Sequence, residues 1–257
     1  MEKKYFFFDI DGTLTDRSTG KIVPSAREAL DRLEANGHFV AIATGRAHYK
    51  ARKFTGANGF KNMVCCGGNG CVINNELVEN IPLDKEGCLQ IIHQAEELGY
   101  GWCVALDDTK DVYMTDEKFL RQVGKRKEPT RYIIDDMLDI DSVDAIYKIY
   151  VAIPKEEEEK LTKKELIGHL RFEPEYLMFQ PDNKRGGIIK MMEHLNADIK
   201  DVVVFGDDYN DMDMFCPEWF SIAMGNACQD LKDMASYVTD TNVNDGIKKA
   251  CEHFEWI

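Results

Sequence analysis

The 257-residue sequence predicts an α/β protein with a parallel sheet and a second, inserted domain of mixed α and β structure. Two observations predict this fold. Apolar segments at residues 5–8, 38–43 and 202–205 alternate with segments of helical spacing, which is the pattern of βαβ units. About a hundred residues with the patterns of hairpins and helices then separate the early strands from the last ones, which is enough for a domain. We therefore predict a discontinuous core domain (residues 1–82 and 182–257) and an inserted domain (residues 83–181).

The first strand ends in two acidic residues. Residues 5–8 are four aromatic side chains without a polar break, which is typical of a strand buried on both faces. Asp9 and Asp11 follow, and Gly12 turns the chain out of the sheet. Two carboxylates at positions i and i+2 of an extended segment repel each other unless a cation, a proton or a phosphoryl group lies between them. The pair therefore indicates chemistry, and the alternative interpretation is an ordinary Asp-Gly turn.

The second strand brings another polar turn to the same edge. A helix with Ser25 as its predicted N-cap, closed by Gly37, leads into the strand 38–43. Parallel strands then place Thr44 beside Asp9. The Thr44 hydroxyl and the backbone N–H of Gly45 suit an anionic oxygen, although an ordinary strand-to-helix turn has the same pattern. Arg46 contacts a ligand or is solvated.

The middle of the chain predicts hairpins and helices. Residues 62–66 and 71–73 are predicted to form a hairpin with Asn69-Gly70 as its turn. Asp84 is the predicted cap of a helix ending near Leu98. The remaining predicted elements are strands at residues 102–106, 112–114, 145–153 and 176–179, and a Glu/Lys-rich helix after Pro154.

The second acidic cluster follows another apolar strand. Residues 201–205 stop at Gly206, after which four acids and Asn210 fall within seven residues. This segment is not a calcium loop, because Met212 stands where that loop requires glycine. It suits half of a Mg²⁺ site, since Mg²⁺ takes few carboxylates and lets substrate phosphate complete its coordination. Lys184 lies at the predicted start of a helix, where an anion is also favoured.

Composition excludes several classes of partner. The formal net charge of −14 and the pI near 4.9 argue against nucleic acid and anionic membranes as partners. No signal peptide or membrane-spanning segment is visible. The eight cysteines show neither CxxC pairs nor Cys/His metal spacing, so we expect reduced thiols in a cytoplasmic protein without zinc.

These residues together predict phosphoryl transfer. Asp9 would attack phosphorus, and Asp11 would protonate the leaving alkoxide and then deprotonate the hydrolytic water. The other expected roles fall into three groups: Mg²⁺ ligands (Asp9, Asp11 and Asp207, with one backbone carbonyl), groups around the metal (Asp211 and Asn210), and groups that bind phosphoryl oxygens (Thr44, Gly45, Lys184 and Asn210). The expected partner is a small phosphorylated substrate, which Arg46 could also contact.

The sequence resembles the haloacid dehalogenase (HAD) superfamily. Residues 8–14, residues 44–46, Lys184 and residues 206–211 are similar to its four motifs, in their order. The insert is similar in size and position to that of the Cof-type subfamily with a C2-class cap, as are Asn69-Gly70 before it and residues 223–227 after it. The resemblance implies a Rossmann-like core with an inserted α+β C2-type cap domain. One departure is Arg185, which stands where the family commonly has glycine after the motif lysine.

The sequence is compatible with three functions. The first is a Mg²⁺-dependent phosphatase of small metabolites, for which the resemblance favours sugar phosphates and a cap that closes over the site. The second is a phosphomutase or phosphotransferase of the same fold, which would isomerise a sugar phosphate when a bisphosphorylated sugar is added. The third is a catalytically inactive regulator that binds metal or phosphate. The intact pair Asp9 and Asp11 argues against the third function.

Overall fold

The computed structural model describes residues 2–126 and 130–257, which form two compact units. The first unit, here the core unit, contains the described residues of Met1–Arg46, Lys50–Asn80 and Asn183–Ile257. The second, here the inserted unit, contains Ala47–Tyr49 and the described residues of Ile81–Asp182. The assignment of residues 1–82 with 182–257 and of 83–181 to separately folding domains stays a prediction.

The elements are numbered in chain order. The strands are β1 (Tyr5–Phe8), β2 (Phe39–Ala43), β3 (Met63–Cys65), β4 (Gly70–Ile73), β5 (Glu76–Asn80), β6 (Trp102–Ala105), β7 (Asp111–Met114), β8 (Arg131–Ile134), β9 (Lys148–Val151), β10 (His169–Glu173), β11 (Tyr176–Phe179), β12 (Val202–Gly206), β13 (Phe220–Ala223) and β14 (Tyr237–Val238). The α-helices are α1 (Pro24–Ala35), α2 (His48–Asn58), α3 (Lys85–Glu97), α4 (Lys118–Val123), α5 (Lys184–His194), α6 (Gln229–Met234) and α7 (Gly246–His253).

The core unit contains the predicted parallel sheet. Its strand order is β14-β13-β12-β1-β2-β3-β4-β5, parallel from β14 to β3 and antiparallel for the last two strands. In the register of β1, Phe8 lies between Phe205 of β12 and Ile42 of β2. The carboxyl ends of these three neighbouring strands therefore meet at one edge. This is the edge of an open α/β sheet at which ligands bind.

Helices cover both faces of this sheet. Phe6 and Phe8 pack with residues of α1 and α7, such as Leu30 and Ile247, on one face. Phe7 packs with Ile188 and other residues of α5 on the opposite face. All three phenylalanines are fully buried, which confirms the prediction that the aromatic strand is covered on both sides.

The inserted unit is an α+β structure. Its six strands are ordered β10-β11-β9-β6-β7-β8, and all neighbours are antiparallel except β7 and β8. Ile91 and Ile92 of α3 pack on one face of the sheet, and Phe119 of α4 packs on the other. Asp84 caps α3 as predicted, because its side chain accepts a hydrogen bond from the N–H of Gly87.

Three local predictions are wrong. The N-cap of α1 is Val23 and not Ser25, because Pro24 occupies the first helical turn, where its missing N–H needs no partner. The acidic segment Lys155–Lys160 is a 3-10 helix and not an α-helix. Gly70 already pairs with Cys65, so the loop between β3 and β4 is residues 66–69 and not the dipeptide Asn69-Gly70. None of the helices in the described part of the chain has the length and apolar composition that a membrane crossing requires.

Candidate active site

Three buried acids meet at the carboxyl edge of the core sheet. Asp9 follows β1, and its backbone N–H donates to the carbonyl of Phe205 at 3.1 Å. Asp207 directly follows β12. Asp9, Asp207 and Asp211 each have a carboxylate oxygen within 4.8 Å of those of the other two, and all three side chains are buried. Acids separated by about 200 residues in sequence therefore converge where the parallel register predicts.

Lys184 lies inside this cluster. Its Nζ is 2.8 Å from Oδ1 of Asp9 and 2.6 Å from Oδ1 of Asp211, and the residue is only 1% exposed. Arg185, which departs from the family pattern, points to a different place, because its guanidinium pairs with Glu218. The departure therefore leaves the motif lysine directed at Asp9.

The loop between β3 and β4 anchors this lysine. The backbone N–H of Asn183 donates to the carbonyl of Gly67 at 2.9 Å, and its side chain caps α5 by accepting from Gly186. Gly68 has a φ of +106°, and a Cβ on it would lie 1.9 Å from the carbonyl oxygen of Asn183. Only glycine fits this close approach, so the loop fixes the residue that precedes Lys184.

Asp211 organises the other acids. Its Oδ2 accepts the backbone N–H of Asp207 at 2.9 Å and that of Asp208 at 3.2 Å, while its Oδ1 accepts from Lys184. Asp208 in turn caps the 3-10 helix Tyr209–Met214, and the two acids form a reciprocal capping box. Both oxygens of Asp211 are engaged, so this residue is suited to positioning its neighbours.

Asp207 is held by residues from the turn after β1. Its Oδ1 accepts from the Thr13 hydroxyl at 3.0 Å, and its Oδ2 accepts from Nη2 of Arg17 at 2.8 Å. Gly12 makes this approach possible, because a Cβ there would lie 2.2 Å from Oδ2 of Asp207. Asn226 adds a bond to the carbonyl of Gly12 at 2.9 Å.

The buried cluster has more negative than positive charge. Burial and the nearby Asp211 raise the pKa of Asp9 to about 7, although Lys184 opposes the shift. Burial and Asp211 also raise the pKa of Asp207 to about 6, and Arg17 acts in the opposite direction. Burial would lower the pKa of Lys184, but Asp211 and Asp9 hold it above its ordinary range. A cluster in which two carboxylates resist ionisation is one that a further cation would stabilise.

Asp11 and Arg46 form an exposed pair at the rim. The Asp11 side chain is 64% exposed, and Nη2 of Arg46 lies 2.7 Å and 2.8 Å from its two carboxylate oxygens. Arg46 also lies over the ring of Phe54, 5.5 Å from its centroid. The Asp11 carboxylate is not among the three converging acids, although the chain places it just beyond Asp9. Arg46, expected to contact a ligand or solvent, contacts Asp11.

The remaining predicted residues lie at the same strand ends. Thr44 is buried at the end of β2, where its N–H donates to Val64 at 2.9 Å and its hydroxyl oxygen accepts from the N–H of Arg46 at 3.2 Å. Gly45 follows it, and Asn210 lies half-buried in the 3-10 helix Tyr209–Met214.

Sequence reasoning missed Thr13, Arg17 and Asn226. Thr13 lies in residues 8–14 and Asn226 in residues 223–227, two segments that resemble the family, so the sequence could have identified both as candidate site residues. Arg17 lies in the polar segment between β1 and α1 and has no such signal, because only the folded chain brings it to Asp207.

Comparison with known proteins places the whole chain in one family. A family model described as haloacid dehalogenase-like hydrolase matches residues 6–251. The chain belongs to this family. A Bacillus subtilis protein named "Putative phosphatase YkrA" is 30% identical over 253 residues, which are 97% of this chain and 97% of that one.

Solved structures agree with the family. A hypothetical protein from Geobacillus kaustophilus HTA426 has a TM-score of 0.82 and 26% identity over 100% of both chains. The HAD subclass IIB sugar phosphatase BT4131 has a TM-score of 0.78 and 25% identity over 99% of this chain and 100% of that one. These relatives confirm the resemblance to Cof-type HAD proteins and the predicted fold. The protein is a HAD-family phosphoric monoester hydrolase.

Proposed function

We propose that this phosphatase is a cytoplasmic, Mg²⁺-dependent enzyme that hydrolyses small phosphorylated metabolites through an aspartyl-phosphate on Asp9. The observation that carries the proposal is the buried cluster. An oxygen of Asp9 lies 2.8 Å from Nζ of Lys184, and Asp9 and Asp207 have carboxylate oxygens within 4.8 Å of each other. A nucleophilic carboxylate next to a lysine and a metal-binding acid is the arrangement that phosphoryl transfer to aspartate requires.

The donor set fits Mg²⁺. The converging atoms are carboxylate oxygens, which are the hard donors that Mg²⁺ takes, and the cluster carries an excess of negative charge. Asp9, Asp207 and a backbone carbonyl, which we assign to Asp11, would hold the ion, while Asp211 keeps Asp207 in place. When bound, Mg²⁺ neutralises phosphoryl oxygens that would otherwise repel the Asp9 carboxylate.

The protein's own residues would act in two steps. Asp9 attacks phosphorus, the bond from phosphorus to the ester oxygen breaks, and Asp11 gives its proton to the leaving alkoxide. Asp11 then takes a proton from water, which attacks phosphorus and releases phosphate from Asp9. Lys184, Thr44 and the N–H of Gly45 would bind the phosphoryl oxygens during both steps. Asn210 and Arg46 are proposed to contact the phosphate and the rest of the substrate.

Replacement of the nucleophile tests this mechanism. Asp9→Asn keeps the shape and a hydrogen-bond acceptor for Lys184 but removes the charge. We expect the kcat for p-nitrophenyl phosphate to fall by about 10⁴-fold or more, the range seen when a nucleophile is removed. Asp31→Asn, on the exposed surface of α1, is the matched control and should leave kcat unchanged. Turnover by Asp9→Asn at the wild-type rate would contradict Asp9 as nucleophile.

We propose sugar phosphates as the substrate class, supported by the similarity to the sugar phosphatase BT4131. The test is a screen of phosphorylated metabolites with Mg²⁺ or with a chelator, in which phosphate release is measured. Release from sugar phosphates with Mg²⁺ alone supports the proposal. Preference for another class of phosphoester contradicts the substrate assignment. Isomerised sugar phosphate in the presence of a sugar bisphosphate would instead identify a mutase.

A further inference from the structure

An exposed arginine reaches one of the buried acids. Nη2 of Arg17 lies 2.8 Å from Oδ2 of Asp207 and 2.9 Å from Oδ2 of Asp208. The side chain of Arg17 is 57% exposed, that of Asp207 only 1%, and that of Asp208 41%. Gly12 makes room for this contact, since a Cβ there would lie 2.5 Å from Nε of Arg17. The arginine is therefore shared between a buried acid and an exposed one.

The contact engages one of the two oxygens through which Asp207 could bind a metal. Oδ1 of Asp207 already accepts from the Thr13 hydroxyl, which leaves Oδ2 for Arg17, with the Asn226 amide 3.4 Å away. A guanidinium and a divalent cation at one carboxylate compete for the same charge and repel each other. Arg17 has an alternative partner, because Asp208 accepts from the same nitrogen atom.

We propose that Arg17 is a competing internal cation of the metal site. It pairs with Asp207 when the ion is absent and shifts entirely onto Asp208 when the ion binds, so that it weakens the affinity for Mg²⁺. The inference rests on the proposed function, because it takes Asp207 as a Mg²⁺ ligand. Arg17 is here a positioning residue, since it acts through Asp207.

Titration with Mg²⁺ tests the competition. Isothermal titration calorimetry of the whole protein would compare the wild type with Arg17→Gln, with Lys21→Gln as control for the loss of one positive charge on the same exposed segment. We expect Arg17→Gln to bind Mg²⁺ about 5- to 10-fold more tightly, the range of one partly exposed charge-assisted hydrogen bond. Lys21→Gln should stay within about twofold of the wild type.

Measurement at high salt distinguishes direct competition at Asp207 from a long-range effect of the lost positive charge on Mg²⁺ affinity. At 0.5 M KCl the screening length is only about 4 Å, so long-range effects of a lost charge are suppressed while competition at a single atom persists. The gain in Arg17→Gln should therefore remain at this salt concentration. Asp208→Asn should weaken Mg²⁺ binding by removing the alternative partner of Arg17, and this effect should shrink in the Arg17→Gln background.

Three results would overturn the inference. They are an unchanged affinity in Arg17→Gln, a lower affinity, and a gain that disappears at 0.5 M KCl. Arg17→Lys is a second variant that keeps the charge without the guanidinium fork, and it should lie between the wild type and Arg17→Gln. The two claims fail in different experiments. Turnover by Asp9→Asn at the wild-type rate would contradict the proposed function, whereas the Mg²⁺ affinity of Arg17→Gln tests only the role of Arg17.

Discussion

Two acids near the start of the chain, Asp9 and Asp11, form ion pairs of similar length in opposite surroundings. Asp9 bonds Lys184 at 2.8 Å with side chains 7% and 1% exposed, whereas Asp11 bonds Arg46 at 2.7 Å with side chains 64% and 25% exposed. A buried pair cannot lose one partner without leaving an uncompensated charge, but an exposed pair separates easily into water. The inner pair is therefore fixed by the fold, whereas the outer pair can separate into water without leaving a buried charge.

The largest expected difference is in stability. Lys184→Met leaves Asp9 and Asp211 buried without their cation, so the free energy of unfolding should fall by about 3–5 kcal/mol. Arg46→Gln removes an exposed pair, and the loss should be below about 1 kcal/mol. Urea unfolding of both variants in a chelator measures the two values. Equal losses would contradict the distinction between a fixed and an exchangeable pair.

Substitution of two glycines tests whether the position of Asp207 depends on the close approach of the backbone at Gly12. Gly12 and Gly20 both have positive φ, +99° and +66°, but only at Gly12 would a Cβ meet other atoms, namely those of Asp207 and Arg17. Gly12→Ala should displace Asp207 and lower kcat/KM for p-nitrophenyl phosphate by about 10²-fold, the effect of a 1 Å misplacement at a reacting centre.

Gly20→Ala is the matched control for this change. It should cost about 1–2 kcal/mol of stability for the left-handed conformation and leave kcat/KM unchanged. A parallel loss of activity in both variants would show that backbone strain, and not the crowding of Asp207, is the cause.

The smallest expected effect is a pH dependence. The pKa of Asp9 is raised to about 7 in the folded chain, against 3.8 ordinarily, so the folded state binds the proton more tightly than the unfolded state. The free energy of unfolding of the chelated protein should therefore rise as pH falls from 8 to 6, by about 1 kcal/mol from this group.

The difference between wild type and Asp9→Asn isolates this contribution. The difference curve should slope between pH 8 and 6 for Asp9. It should be flat for Asp16→Asn, because hydrogen bonds from Ser18 hold the pKa of that exposed acid below its ordinary value. A flat curve for Asp9 would contradict the electrostatic account of the buried cluster.

Much of the fold was predictable because it depends on patterns within short segments. The apolar run before Asp9 and the one before Asp207 gave the two central strands, and the parallel rule then placed their ends together. The start of α1 was not predictable in the same way. Ser25 is a good capping residue by type, but Pro24 occupies the first turn, and the helix begins two residues earlier than predicted.

In the candidate site too, some residues were predictable from the sequence and others were not. Asp9 and Asp207 each follow an apolar strand directly, so residue type and order were enough to place them together. Asp211 lies four residues beyond Asp207, and the sequence predicted it beside the metal ligands, whereas the carboxylate of Asp11, predicted as a ligand, is not among the three converging acids. Arg17 and the close approach of Gly68 to Asn183 depend on how distant loops meet, and no local pattern encodes such a meeting. Sequence therefore identifies the acids at the strand ends more readily than the residues that hold those acids in place.

The most direct test of the account is to trap the covalent intermediate. Asp11→Asn should still form it with p-nitrophenyl phosphate, whose leaving group needs no proton, but should hydrolyse it slowly because the base is missing. The protein is mixed with substrate and Mg²⁺, quenched in acid, digested and examined by mass spectrometry. We predict one phosphoryl group on the peptide that contains Asp9. Turnover at the wild-type rate without an adduct, or a phosphoryl group on a different peptide, would contradict the account.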